Sequence, residues 1–166
     1  MTSLARRISE YPDRLAAALK TYSNTPDAST FKLSGKPDTI ASEISELSKN
    51  FRNYELSLTY SRRILRELLD SMKKDRDCLS SVFSGKSLTL VNSQLAQSIA
   101  LTEYLLREIE SQLSTVSSAK KALKAAEASS SFADFLNFQH ELSSLSFLRQ
   151  LSVKKVEEVE EKMGRL

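Results

Sequence analysis

The chain has 166 residues, with 24 Lys and Arg against 21 Asp and Glu, one His, one Cys and no Trp. This length suits one domain with a sizeable core, and only three Gly and three Pro disfavour a turn-rich β architecture. A single Cys excludes an internal disulfide, and with a single His it leaves no zinc-type ligand set, so we predict no metal site and no cofactor.

Compartment follows from what the sequence lacks. No run approaches the ~18 apolar residues of a membrane-spanning helix, and no apolar core follows Arg6 and Arg7 as in a secretory signal. Together with the single thiol, this predicts a cytoplasmic protein that is neither secreted nor transmembrane, with the nucleus as the alternative location.

The first predicted element is a short helix over residues 12–22, followed by a mobile loop over 23–37. Apolar residues keep helical spacing from Leu4 to Tyr22. Pro12 lacks an N–H and disfavours helical geometry at Tyr11, which favours a helix that starts at Pro12; a helix kinked there is the alternative. The loop segment holds no sustained period, and its length is typical of mobile connections.

Three long helices are predicted next, over residues 38–84, 87–128 and 131–163. Apolar residues recur in each at alternating steps of four and three, which is typical of helices that pack lengthwise. In the first of them, Ser61 and Asp75 interrupt the apolar seam. Gly85 supplies a stop because glycine tolerates the left-handed conformation that ends many helices.

These elements predict an all-α fold, an elongated antiparallel helical bundle or coiled coil of three long helices plus the shorter N-terminal helix. The whole chain, 1–166, is taken as a single helical domain because short corners fold successive helices back on one another. The alternative completes the bundle between chains, since a seam between molecules has the same sequence pattern as one within a molecule.

No catalytic machinery is visible, so we predict that the protein is not an enzyme and assign no catalytic residue. The tripeptide Gly85–Ser87 resembles the end of a phosphate-binding loop, but Ser80 stands where that pattern needs its first glycine. Cys78 lies beside cations, yet the only imidazole, His140, belongs to a different predicted helix. Ordinary helical roles account for all of these residues.

The charge pattern gives little indication that the chain binds nucleic acid or another anionic partner. Basic residues from Arg62 to Arg76 alternate with acids, which favours a solvated, salt-bridged face over nucleic-acid binding. Basic motifs before Ser9 and Ser152 fit basophilic kinase sites, although such short patterns often arise by chance. A purer basic cluster, a weak candidate for contact with an acidic partner or an anionic lipid surface, consists of Lys120, Lys121 and Lys124.

The second long helix is poor in charge. From Ser87 to Ser118 it carries only Glu103, Arg107, Glu108 and Glu110. One interpretation is a central helix that is contacted on several sides, because Ser, Thr, Asn and Gln cost less to bury than charges. The other is that its outer side meets a partner protein through Leu101, Tyr104 and Leu105.

The third long helix is apolar on two sides near its start. At about 100° per residue, Leu136, Phe147 and Leu151 fall opposite the seam that contains Phe138. One neighbouring helix cannot cover both sides, so the second stripe is expected to meet the N-terminal helix or another chain. Leu136, Phe147 and Leu151 are therefore the first predicted partner-binding residues.

Together these features predict a non-enzymatic protein–protein interaction module, a helical scaffold or adaptor subunit that forms a homo- or hetero-oligomer. One alternative is a peripheral membrane module that uses the three lysines and a basic amphipathic N-terminal helix carrying Arg6, Arg7 and Arg14. The other alternative is a helical signalling domain excised from a longer chain.

Overall fold

The computed structural model describes residues 3–25, 40–129, 133–134 and 136–141, and within these ranges it contains no strand. Its helices are α1 (Leu4–Ser23), α2 (Ile40–Arg76) and α3 (Gly85–Ser129), with a 3₁₀ turn at Leu79–Ser81 between α2 and α3. Residues 133–134 and 136–141 are also helical and are called the C-terminal helical segment. The predicted all-α helical bundle is confirmed.

The long helices α2 and α3 form an antiparallel hairpin. Ion pairs along its length join successively later residues of α2 to successively earlier residues of α3, as antiparallel packing requires. The pairs are Glu55 with Lys120 at 3.4 Å, Arg66 with Glu110 at 2.5 Å, and Lys73 with Glu103 at 3.7 Å.

The hairpin buries the apolar seam that its sequence spacing predicts. Burial removes apolar surface from water and is worth about 1.5–3 kcal/mol for a large aliphatic side chain. On α2 the buried apolar residues are Ile44, Leu47, Phe51, Tyr54, Leu58, Leu65, Leu68 and Met72. On α3 they are Leu95, Ile99, Leu105, Leu106, Ile109, Val116, Ala119, Leu123 and Ala126.

Helix α1 packs antiparallel to α2 and contacts both helices of the hairpin. Near its start, Arg7 and Tyr11 bind Asp75 of α2. Just beyond its end, the hydroxyl oxygens of Thr25 and Ser57 lie 3.1 Å apart. Gln112 of α3 donates a hydrogen bond of 2.7 Å to the hydroxyl of Tyr22. The apolar face that α1 buries comprises Tyr11, Leu15, Ala18, Leu19 and Tyr22.

The prediction that the first helix starts at Pro12 is wrong, because α1 begins at Leu4 and continues through Pro12. The side chain of Ser3 accepts a hydrogen bond from the backbone of Arg6 and caps the new start. Pro12 faces solvent, while Tyr11 and Leu15 on either side of it are buried. This burial offsets the hydrogen bond that proline cannot donate. Of the predicted loop, only residues 23–25 are described.

The first long helix also ends earlier than predicted, at Arg76 rather than Ser84. Beyond it, the hydroxyl of Ser81 donates 2.6 Å to the carbonyl oxygen of Cys78, a local bond that competes with helical hydrogen bonding. The chain turns at Leu79–Ser81, and α3 then starts at Gly85, two residues before the predicted start. Of the third predicted long helix, over 131–163, only the C-terminal helical segment is described.

The C-terminal helical segment lies against the first part of α2. The ring of Phe138 meets that of Phe51 edge-on, with centroids 5.7 Å apart and planes at 78°. Phe138 is fully buried, whereas Leu136 keeps 51% of its surface exposed. These two residues therefore face opposite sides, as their spacing predicts.

Gly85 holds the corner of the hairpin in a left-handed conformation, with φ of +58°. Alanine there costs about 1 kcal/mol in backbone energy, since no neighbouring atom lies within 4 Å of its added Cβ. We expect Gly85→Ala to lower the free energy of unfolding by about that amount and Gly85→Asn by less, because asparagine tolerates this conformation better. Urea unfolding followed by circular dichroism measures both, with Ser80→Ala, at an exposed position before the corner, as control. Equal stability of Gly85→Ala and the natural chain would contradict the left-handed conformation of Gly85.

Candidate functional site at the hairpin tip

The first turns of α3 project from the bundle with little cover. From residue 84 to residue 97, only Leu95 is buried, Leu88 and Val91 are partly buried, and every other residue is exposed. Val82 and Leu90 are exposed by 51% and 60%. We call these two exposed side chains the tip surface; Phe83, Leu88 and Val91 nearby are partly buried against the core.

The tip is almost free of charge. Between Asp77 and Glu103 the sequence contains one charged residue, Lys86, and its exposed polar groups come from Ser, Thr, Asn and Gln. Exposed helix faces ordinarily carry charged side chains, as α2 does. Burial inside the bundle does not account for this composition, because these residues face solvent. An exposed, uncharged surface with protruding Val and Leu has the composition of a protein-binding face.

Farther along, α3 behaves as a central helix instead. Leu105 is only 1% exposed and its neighbour Leu106 is also buried. Adjacent residues point about 100° apart, so burying both requires contact on more than one side, which α2 and α1 provide. The prediction that Leu105 lies on the outer side of α3 is therefore wrong. Leu101 and Tyr104 are partly buried against the core, and their role in binding a partner stays a prediction.

Among the residues predicted on the third long helix, Leu136 is described and exposed, as a partner-binding residue must be. Phe147 and Leu151 lie outside the described residues.

Helical spacing continued from Met72 through Leu79 places Val82 in the buried seam of the first long helix, which is wrong: Val82 is 51% exposed because the helix ends at Arg76. The sequence did not single out Leu90. The available signal was the run from Cys78 to Thr102, in which Lys86 is the one charged residue and which begins before the predicted start of the charge-poor helix.

Two of the three lysines of the basic cluster line a groove. Lys120 and Lys124 lie in a groove between α3 and α2, and Lys120 is paired with Glu55 at 3.4 Å. Lys121 is exposed and is not part of the groove lining. Contact of the cluster with an acidic partner or an anionic lipid surface stays a prediction.

Within the described ranges, no group of three His, Cys, Asp or Glu residues is placed to hold a metal ion. Nor does any helix in that part of the chain combine the length and apolar character needed to cross a membrane. The thiol of Cys78 is free and exposed, just after the end of α2.

At the base of the tip, a buried carboxylate fastens α1 to α2. The guanidinium of Arg7 donates two hydrogen bonds to Asp75, from Nε to Oδ2 and from Nη2 to Oδ1, each 3.0 Å long. The hydroxyl of Tyr11, one helical turn along α1, also donates to Oδ2. Three donors thus satisfy a charge in the apolar seam that would otherwise be costly to bury.

The ionisation of these groups is mutually supportive. Burial alone would raise the pKa of Asp75, but hydrogen bonds from Arg7 and Tyr11, with the charges of Arg7 and Lys74, lower that pKa below its usual range. The hydrogen bond to Asp75 raises the pKa of Arg7. Burial, followed by the hydrogen bond to Asp75, raises the pKa of Tyr11. At neutral pH the cluster is a fixed ion pair with a neutral phenol, which suits a fastening role.

Comparison of the chain with protein-family models, curated proteins and solved structures gives no match. The functional argument therefore depends on the geometry and composition of the chain itself.

The Asp75 cluster predicts a pH-dependent stability. We expect Asp75→Asn to lower the free energy of unfolding by about 2 kcal/mol near pH 7, because it removes hydrogen bonds to a charged, buried group. Since the pKa of Asp75 is lowered on folding, this difference from the natural chain holds above about pH 5 and shrinks below the unfolded pKa of about 3.9.

Urea unfolding at several pH values measures this difference. The control is Asp77→Asn, an exposed carboxylate two residues away, which is expected to change stability little. A difference for Asp75→Asn that stays constant down to pH 3 would show that the ionised carboxylate does not stabilise α1.

Proposed function

We propose that the chain is a non-enzymatic protein–protein interaction module, a helical scaffold or adaptor subunit that binds through the tip surface. The observation that supports this proposal is the pairing of exposure with scarcity of charge over residues 84–97, where Lys86 is the one charged residue. Charged residues are depleted from the cores of protein interfaces, and exposed apolar patches mark association sites.

The side chains at the tip suit burial against another protein. Complete burial of Leu90 and Val82, each more than half exposed, is worth up to about 1–3 kcal/mol per side chain. The Ser, Thr, Asn and Gln residues around them carry no charge to strip of water, so their burial costs less than that of Lys or Glu. Their small side chains also allow a partner helix to approach closely.

The hairpin separates this surface from the other end of the bundle. Helix α2 has 37 residues and is about 55 Å long; the tip lies beyond its C-terminus, and Phe51 lies about 38 Å before that end. The C-terminal helical segment, with the exposed Leu136, packs at the Phe51 end. Two separated surfaces on a stiff rod are what an adaptor needs to hold two partners apart.

In this proposal the protein acts without a cofactor, in the cytoplasm or nucleus. The exposed thiol of Cys78 supports such a compartment, because free exposed cysteines persist where glutathione keeps them reduced. Membrane use of α1 receives no comparable support, since its apolar face is buried against the hairpin and Arg7 is bound to Asp75.

Self-association tests the tip surface directly. We expect Leu90→Asp to weaken any homo-oligomer by about tenfold or more, because it places an unpaired charge where an apolar side chain would be buried. Leu56→Asp is the matched control, since Leu56 is 57% exposed on the outer face of α2. Sedimentation velocity over a concentration series measures both variants, and circular dichroism checks that each stays helical.

Two results would count against the proposal. A natural chain that stays monomeric at high concentration would contradict its homo-oligomeric form. Equal weakening by Leu56→Asp and Leu90→Asp would contradict the assignment to the tip surface.

A further inference from the structure

A second surface lies toward the other end of the hairpin, between the first half of α2 and the last turns of α3. It is a groove of about 570 Å³ whose lining includes Phe51 and Leu123. Both of these residues are buried members of the core, so the groove has an apolar bottom. Its walls consist of polar and charged side chains.

The charge of the groove is predominantly positive. Its basic residues are Lys49 and Arg52 on α2 with Lys120 and Lys124 on α3, against the acids Glu55 and Glu127. Lys120 is paired with Glu55. In the part of the chain that the structure describes, no carboxylate lies within ion-pair distance of Lys49, Arg52 or Lys124. Among the described residues, these three cations therefore have no ion-pair partner, and they lie on both walls of the groove.

We propose that this groove binds an acidic peptide segment of a partner protein. Carboxylates of such a segment would meet Lys49 and Arg52 on one wall and Lys124 on the other. The guanidinium of Arg52 suits bidentate contact with a carboxylate, and lysine supplies a compact charge. Charge complementarity selects the acidic partner.

The shape of the site favours a peptide over a membrane. The cations line a concave space between two helices, whereas a lipid surface is broad and contacts protruding faces. Lys121, which a lipid surface would recruit along with its neighbours, lies outside the groove lining. This surface is separate from the tip surface, so the proposal does not depend on association through Leu90.

Fluorescence anisotropy with a labelled synthetic peptide tests the groove. The probe is a helix-forming peptide that carries glutamates on one face and two leucines beside them. The comparison peptide has glutamine in place of every glutamate. We expect the acidic peptide to bind the full chain and the glutamine peptide to bind at least about tenfold more weakly, with affinity for the acidic peptide falling as salt rises.

Charge reversal locates the binding. The double variant Lys49→Glu and Lys124→Glu, one cation from each wall, is expected to weaken binding of the acidic peptide by about tenfold or more. The matched control is Lys20→Glu with Lys86→Glu, which makes the same change in net charge at exposed lysines distant from the groove. It is expected to stay within about threefold of the natural chain, because exposed charges at a distance are screened. Lys49→Gln with Lys124→Gln replaces the reversal if that variant loses helicity.

Three outcomes would overturn the proposal. One is no binding of the acidic peptide, and a second is equal binding of the glutamine peptide. The third is equal loss in the groove variant and its control, which would indicate a response to net charge alone. If the natural chain sediments with phosphatidylserine vesicles but does not bind the acidic peptide, and only the groove variant loses the vesicles, the cations belong to a lipid-binding surface instead. Leu90→Asp is expected to leave peptide binding unchanged, which separates this test from that of the tip surface.

Discussion

The lengthwise burial of one apolar seam between α2 and α3 holds the rest of the molecule in place. Buried residues recur along α2 from Ile44 to Met72, and more than one neighbouring helix is needed to cover them. Helix α1 therefore occupies the hairpin alongside the stretch from Ser57 to Asp75, and Phe138 covers Phe51. The tip lies beyond these covering elements, which is why most of its residues face solvent.

One polar residue within that seam fixes how α1 sits. Asp75 is buried where an apolar residue is expected, and its charge is satisfied only when Arg7 and Tyr11 lie opposite. Sliding α1 by one turn would leave an unpaired buried anion, a loss that commonly costs several kcal/mol. An all-apolar contact would tolerate such a slide more easily. The buried carboxylate thus stabilises the fold less than an apolar residue would, but it fixes one register of α1. The hydrogen bond between Tyr22 and Gln112 fixes the same register.

Sequence periodicity was sufficient for the fold class and for most of the seam, because burial on one face of a helix has a direct periodic signature. It did not reveal which helix covers which face. Asp75 was visible as an interruption, but its partner Arg7 is 68 positions away, and no local pattern connects them. The start of α1 was missed because tertiary burial of Tyr11 outweighed the local penalty at Pro12.

The candidate site was only partly predictable for the same reason. Scarcity of charge is compatible with burial and with binding, and α3 is poor in charge both where it is buried and where it is exposed. Around Leu105 the cause is burial among several helices, whereas around Leu90 the residues face solvent. Only the arrangement of neighbouring helices separates the two cases.

The exposed thiol just after α2 is a natural site for attaching a spectroscopic label. Cys78 is the one cysteine of the sequence, and it lies at the turn that leads into the tip. A maleimide dye or nitroxide spin label attached there would occupy one defined position in the unaltered sequence. Its mobility and its distance to a second labelled molecule would then reveal whether two rods meet end to end, side by side or not at all.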